Sequence, residues 1–132
     1  MNILLFDKSP IISEMILRNL MRIDPSLNIK AVSDMDAANE SAKDIYYNLI
    51  LLDMDNLNGK FPAFIDLLRK TNPDAVVFLL SSFPSETVFN KFLKSGADSC
   101  LDKTTDFEIL LKKFEEFLLT DLRPAKLSSL QG

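Results

Sequence analysis

Asp7, Asp53, Ser81 and Lys103 each stand directly after a strand-like run: Asn2 to Phe6 leads to Asp7, Asn48 to Leu52 to Asp53, Ala75 to Leu80 to Ser81, and Ser99 to Asp102 to Lys103. Two carboxylates, a hydroxyl and an ammonium are groups that phosphoryl chemistry uses. A carboxylate can attack phosphorus and form an acyl phosphate. Hard carboxylate oxygens hold a divalent cation, and a hydroxyl and an ammonium can neutralise phosphoryl oxygens. These residues are far apart in the chain, so they cooperate only if the runs are parallel strands whose carboxyl ends share one edge of a sheet.

Strand-like and helix-like patterns alternate throughout, which favours an α/β sheet over segregated α+β. Pro10 to Ile23 carries Ile12, Met15, Ile16, Leu20 and Ile23 at helical spacing, with Ser9 as N-cap, Pro10 in the first turn and Asp24-Pro25 as the stop. Asn28 to Ser33 reads as a short strand and Asp36 to Lys43 as a modest helix. The uninterrupted apolar runs before Asp53 and Ser81 are the pattern of strands buried on both faces. Phe61 to Lys70 offers Phe64, Leu67 and Leu68 as a helix face. A further helix from Ser85 turns Val88, Phe89, Phe92 and Leu93 inward and is closed by Gly96. Thr105 to Leu119 makes the last helix, with Phe107, Leu110, Leu111, Phe114 and Leu118 on one face. Five βα units result, and a doubly wound parallel sheet is their simplest closure. Such sheets bind ligands beyond the carboxyl ends of the strands, where all four singled-out residues lie. Residues 121–132 lose the pattern and read as a tail or linker stub.

The chain has 132 residues, the size of one domain, and 26% of them are charged, the balance of a soluble globular protein. No apolar run is long enough to cross a bilayer, and Asp7 and Lys8 interrupt the N-terminal run before it could serve as a signal peptide. With a single cysteine, Cys100, a cytoplasmic location is expected. The absence of histidine removes the bases and ligands of triad and zinc chemistry. A net charge of -4 argues against general affinity for nucleic acid, so a protein or metal partner is expected first.

The segments Ile3-Leu-Leu-Phe-Asp-Lys-Ser-Pro10, Leu49-Ile-Leu-Leu-Asp53, Phe78-Leu-Leu-Ser-Ser82 and Gly96-Ala-Asp-Ser-Cys-Leu-Asp-Lys103 carry a resemblance. Any one of them is a weak signal, whereas four in order are strong. Over residues 1–120 the chain resembles a response-regulator receiver domain of two-component signalling. The resemblance implies a flavodoxin-like (βα)5 sandwich with a five-stranded parallel sheet of order 2-1-3-4-5, which is carried over from the family. It further implies that Asp53 accepts a phosphoryl group from a phosphohistidine on a histidine kinase or phosphotransfer protein. Asp7 and Asp53 would bind Mg²⁺ together with the backbone carbonyl of Asp55, Ser81 would hydrogen-bond a phosphoryl oxygen, and Lys103 would pair with the acceptor or its phosphate. Such a protein is a self-phosphorylating acceptor and not a turnover enzyme. The last strand and its flanking helices, Ser85 to Leu119, are the family's usual output or homodimer surface.

The departures are equally specific. Receivers normally carry two adjacent acids after the first strand, and here the second position is Lys8. The swap changes the local charge by two units, each worth on the order of 4 kcal/mol at about 4 Å and an effective dielectric near 20. Either the Lys8 ammonium pairs with Asp53 or Asp7 and partly substitutes for the metal, or it swings into solvent while Asp55 supplies the lost carboxylate. The first outcome weakens Mg²⁺ binding and leads to a phosphorylation-independent interaction module. Thr104 in place of proline and Cys100 in place of an aromatic switch residue are milder departures. Leu51-Leu-Asp-Met-Asp55 also resembles the Asp-x-Asp motif of haloacid dehalogenase-type phosphatases, although the usual Gly-Thr is missing and Asp7 would have no role.

Overall fold

Strand and helix alternate through β1 (Asn2–Phe6), α1 (Pro10–Ile23), β2 (Asn28–Val32), α2 (Met35–Asp44), β3 (Leu49–Asp53), α3 (Phe61–Thr71), β4 (Val76–Ser81), α4 (Glu86–Lys94), β5 (Ser99–Asp102) and α5 (Phe107–Thr120). A 3-10 turn, Met54–Asn56, follows β3. The computed structural model describes residues 1–56, 61–82, 85–94, 96–102 and 107–120. The expected tail at 121–132 and the expected start of the last helix at Thr105 lie outside them. All strands pair in parallel in the order β2-β1-β3-β4-β5, as the resemblance implied.

The unbroken apolar runs are explained by helices on both faces of the sheet. Side chains alternate across a strand, so Leu4, Phe6, Ile50, Leu52, Val77 and Leu79 face one layer, which contains Ala38 and Ala42 of α2 and Phe64, Ile65 and Leu68 of α3. Ile3, Leu5, Leu49, Leu51, Phe78 and Leu80 face the other, with Ile16 and Leu20 of α1 and Phe114 of α5. The Phe6 and Phe64 rings meet at 6.3 Å and a tilt of 59°, within the spacing such pairs prefer.

Local signals act as the sequence suggests. The Ser9 hydroxyl accepts the Ile12 N–H at the start of α1, and the Asp34 carboxylate accepts the Ala37 N–H at the start of α2. After α4, Gly96 donates to the Leu93 carbonyl and Ala97 to the Phe92 carbonyl, with Gly96 at φ +113°. That pair of bonds is the Schellman closure, which needs a left-handed residue. The inward faces are narrower than the periodicity predicts: Met15, Leu67 and Leu93 are exposed. In α3, Ile65 is buried where Leu67 was expected, because the helix meets the sheet along a stripe too narrow to admit both flanks.

The amino-terminal end of the sheet is tied by a polar clamp. The Arg69 guanidinium donates to the carbonyls of Ala75 and Gly96 and, at 2.8 Å, to the Asp98 carboxylate. Asp98 in turn accepts the Val77 N–H at 2.8 Å. The end of α3 is thereby fixed to the starts of β4 and β5, which leaves the opposite edge to carry chemistry.

Candidate functional site

Register fixes the site. Phe6 pairs with Leu52, Asp53 with Leu80, and Ser81 with Asp102. Asp7, one residue beyond Phe6, therefore stands beside Asp53, and Ser81 stands one residue further along β4 than the partner of Asp53. Asp7 and Asp53 are each 1% exposed and Ser81 is 3% exposed. Buried carboxylates require partners, and the chain supplies backbone amides. Asp53 Oδ1 accepts the Asp55 N–H at 2.9 Å and Oδ2 accepts the Lys8 N–H at 3.4 Å. Asp7 Oδ1 accepts the Ser9 N–H at 2.8 Å, so it braces the turn into α1.

The structure brings together Asp7, Asp53, Asp55 and Ser81. Lys103 lies outside the described residues; the residue before it, Asp102, ends β5 beside Ser81. Lys8 touches Asp53 only through its backbone: its side chain is exposed, and among the described residues its ammonium makes no ion pair. Asp55 turns its carboxylate to β4, where Oδ1 accepts the Ser81 hydroxyl at 2.8 Å and Oδ2 accepts the Ser82 N–H at 3.0 Å. The sequence pointed to a backbone carbonyl role for Asp55, or to its carboxylate in place of the lost acid, and not to this contact with Ser81 and Ser82. The available signal was an acid two residues beyond Asp53 and a Ser-Ser pair ending the neighbouring strand.

Among the described residues no group of three or more histidine, cysteine or acidic side chains is gathered as a metal centre. Asp7 and Asp53 are nevertheless hard oxygen donors on adjacent strand ends. Mg²⁺ takes one or two protein carboxylates and keeps several waters, so this donor set suits it. The Cys100 thiol, half-buried on β5, is pushed up to about 12 by desolvation. It stays protonated at neutral pH and is inert.

Fold and site together define a doubly wound α/β domain with buried carboxylates and a hydroxyl at the carboxyl edge of its sheet. The family model described as response regulator receiver domain matches residues 3–115. The chain belongs to that family, and the haloacid dehalogenase alternative drops out. No curated protein matches the chain in sequence. Among solved structures it is similar to a response regulator protein from Burkholderia pseudomallei, described with a phosphorylated aspartic acid, at 21% identity and a TM-score of 0.76, covering 99% of this chain and 72% of that one. A response regulator from Hahella chejuensis is 23% identical with a TM-score of 0.78, covering 90% and 95%. A third structure, described as an atypical orphan response regulator with a phosphorylation-independent regulatory mechanism, is 16% identical with a TM-score of 0.75, covering 91% and 97%. No described helix is long and apolar enough to cross a membrane.

Proposed function

We propose that this receiver domain accepts a phosphoryl group on Asp53 from a phosphohistidine of a histidine kinase or phosphotransfer protein. The observation that carries the reading is the Asp53 carboxylate, 1% exposed at the end of β3, beside the Ser81 hydroxyl at the end of β4. In the transfer, an Asp53 oxygen forms a bond to phosphorus, the phosphorus–nitrogen bond breaks, and the electron pair returns to the imidazole, which is protonated. Backbone amides of Asp55 and Lys8 orient the carboxylate without supplying a competing nucleophile. Ser81 is placed to donate to a phosphoryl oxygen, and Lys103 is assigned the counter-charge by family resemblance.

Asp7 and Asp53, with the Asp55 carbonyl, would hold Mg²⁺. When bound, the ion would offset charge between the carboxylate and the phosphoryl oxygens. The domain is a stoichiometric acceptor and not a turnover enzyme, and its address is the cytoplasm. Exposed Leu93 on α4 and Ile109 on α5 support a homodimer through the last strand and its flanking helices.

The test is incubation with phosphoramidate and Mg²⁺, read by intact mass and by lability to hydroxylamine. One phosphoryl group per chain, absent in Asp53→Asn, is expected. No label, or label that persists in Asp53→Asn, overturns the reading. A second reading, a phosphorylation-independent interaction module, is favoured by Lys8 at the position of the second acid. It is also consistent with what is said of the atypical orphan relative.

A further inference from the structure

Asp55 makes contacts that neither an acceptor role for Asp53 nor a metal requires. Its carboxylate takes the Ser81 hydroxyl at 2.8 Å and the Ser82 N–H at 3.0 and 3.3 Å. Its own N–H simultaneously holds Asp53 Oδ1 at 2.9 Å. One residue thus bridges the acceptor carboxylate on β3 to the hydroxyl and amide that end β4.

The donors are limited. A serine hydroxyl has one proton to give, and so has a backbone amide. Ser81 cannot donate to Asp55 and to a phosphoryl oxygen on Asp53 at once. The Asp55 carboxylate also resembles the edge of a phosphoryl group in what those donors sense: two adjacent anionic oxygens within hydrogen-bond reach. The residue is exposed while Ser81 beside it is buried, so Asp55 has room to swing out.

We propose that Asp55 is an internal competitor for the phosphoryl site, an inference that rests on Asp53 being the acceptor. Its carboxylate occupies the Ser81 hydroxyl and the Ser82 amide before transfer and holds the β4 end in its engaged position. The arriving phosphoryl group has to displace it, and the two like-charged groups repel while they exchange. Asp55 therefore sets how readily the domain takes a phosphoryl group, and it keeps Ser81 engaged when no donor is present.

The experiment compares the wild-type chain with Asp55→Ala, Asp55→Asn, Ser81→Ala and the Asp55→Ala/Ser81→Ala double variant. Without phosphodonor or Mg²⁺, the Ser82 amide resonance is expected to move in Asp55→Ala, which reads the contact directly. With phosphoramidate and Mg²⁺, Asp55→Ala is expected to label about tenfold faster than wild type, the loss of roughly one charge-assisted hydrogen bond that transfer must break. Asp55→Asn, which retains shape without charge, should fall between them and carries the comparison if the alanine variant does not fold. The gain of the double variant over Ser81→Ala should be smaller than that of Asp55→Ala over wild type, because the Ser81 contact is gone and only the Ser82 amide is left to release. Labelling of Asp55→Ala alone would also support the competitor. Equal or slower labelling than wild type overturns it while Asp53 stands as the acceptor. No labelling of any variant overturns the acceptor and the competitor together, even if the Ser82 resonance moves.

Discussion

Lys8→Met is predicted to tighten Mg²⁺ binding by roughly 30-fold at low ionic strength, and the size of that effect follows from where the side chain lies. An ammonium held about 4 Å from the doubly charged metal in a partly buried setting would oppose it by on the order of 8 kcal/mol, roughly a millionfold in affinity. Lys8 is exposed and, among the described residues, its ammonium makes no ion pair. Its interaction is thus closer to the value in water, about 2 kcal/mol with a divalent ion at the same distance, or roughly 30-fold. Lys8→Asp reverses two charge units and is expected to reach at least roughly a thousandfold, since the new carboxylate can also serve as a ligand. With no tryptophan in the chain, the assay is calorimetric titration or displacement of the Asp55 and Ser82 amide resonances. It is run at low ionic strength and again near 0.15 M salt, where the Debye length is about 8 Å and the exposed-charge effect should shrink. Unchanged or weaker binding in Lys8→Met refutes the electrostatic reasoning. A gain of about a millionfold refutes it from the other side, because it would put the ammonium at the metal in a low dielectric.

Other perturbations test the frame that holds the site. Arg69→Ala should cost about 2–3 kcal/mol, read as a lower urea midpoint at unchanged slope, because it strips the Asp98 carboxylate and the Ala75 and Gly96 carbonyls of their shared donor. An effect below about 0.5 kcal/mol would make the clamp an ordinary surface pair. Asn72→Ala should cost about 1–3 kcal/mol by the same measurement, since buried Asn72 accepts the Tyr47 N–H and donates to the Leu68 carbonyl. Cys100 should resist a maleimide at pH 8 in the folded chain and react on unfolding. Its thiol is raised from 9.0 to about 12, so the unfolded chain loses this proton first as pH rises. The Cys100 contribution to stability is then complete below pH 9 and falls between pH 9 and about 12. Cys100→Ala should flatten that decline, and an unchanged alkaline profile would count against it.

Strand ends were legible in the sequence because a parallel sheet sends every carboxyl terminus to the same edge. A polar residue closing an apolar run is thereby located without knowledge of any contact. The burial of both strand faces was legible too, since no alternation interrupts the runs before Asp53 and Ser81. What escaped were properties set between elements. Met15, Leu67 and Leu93 have the right helical spacing to face inward, but periodicity gives only an angle about the helix axis. The width of the buried stripe depends on how closely each helix approaches the sheet, and that leaves these three exposed. Asp55 escaped for a related reason. Its backbone position follows from Asp53, whereas its carboxylate is aimed by the 3-10 turn Met54–Asn56 and captured by donors on a different strand. Only the pairing of β3 with β4 brings Ser81 and Ser82 within reach. The groups that the proposed phosphoryl acceptance calls for can therefore be read from the one-dimensional pattern. The proposed modulation cannot, because it turns on where the exposed Lys8 side chain and the β4-directed Asp55 carboxylate come to lie.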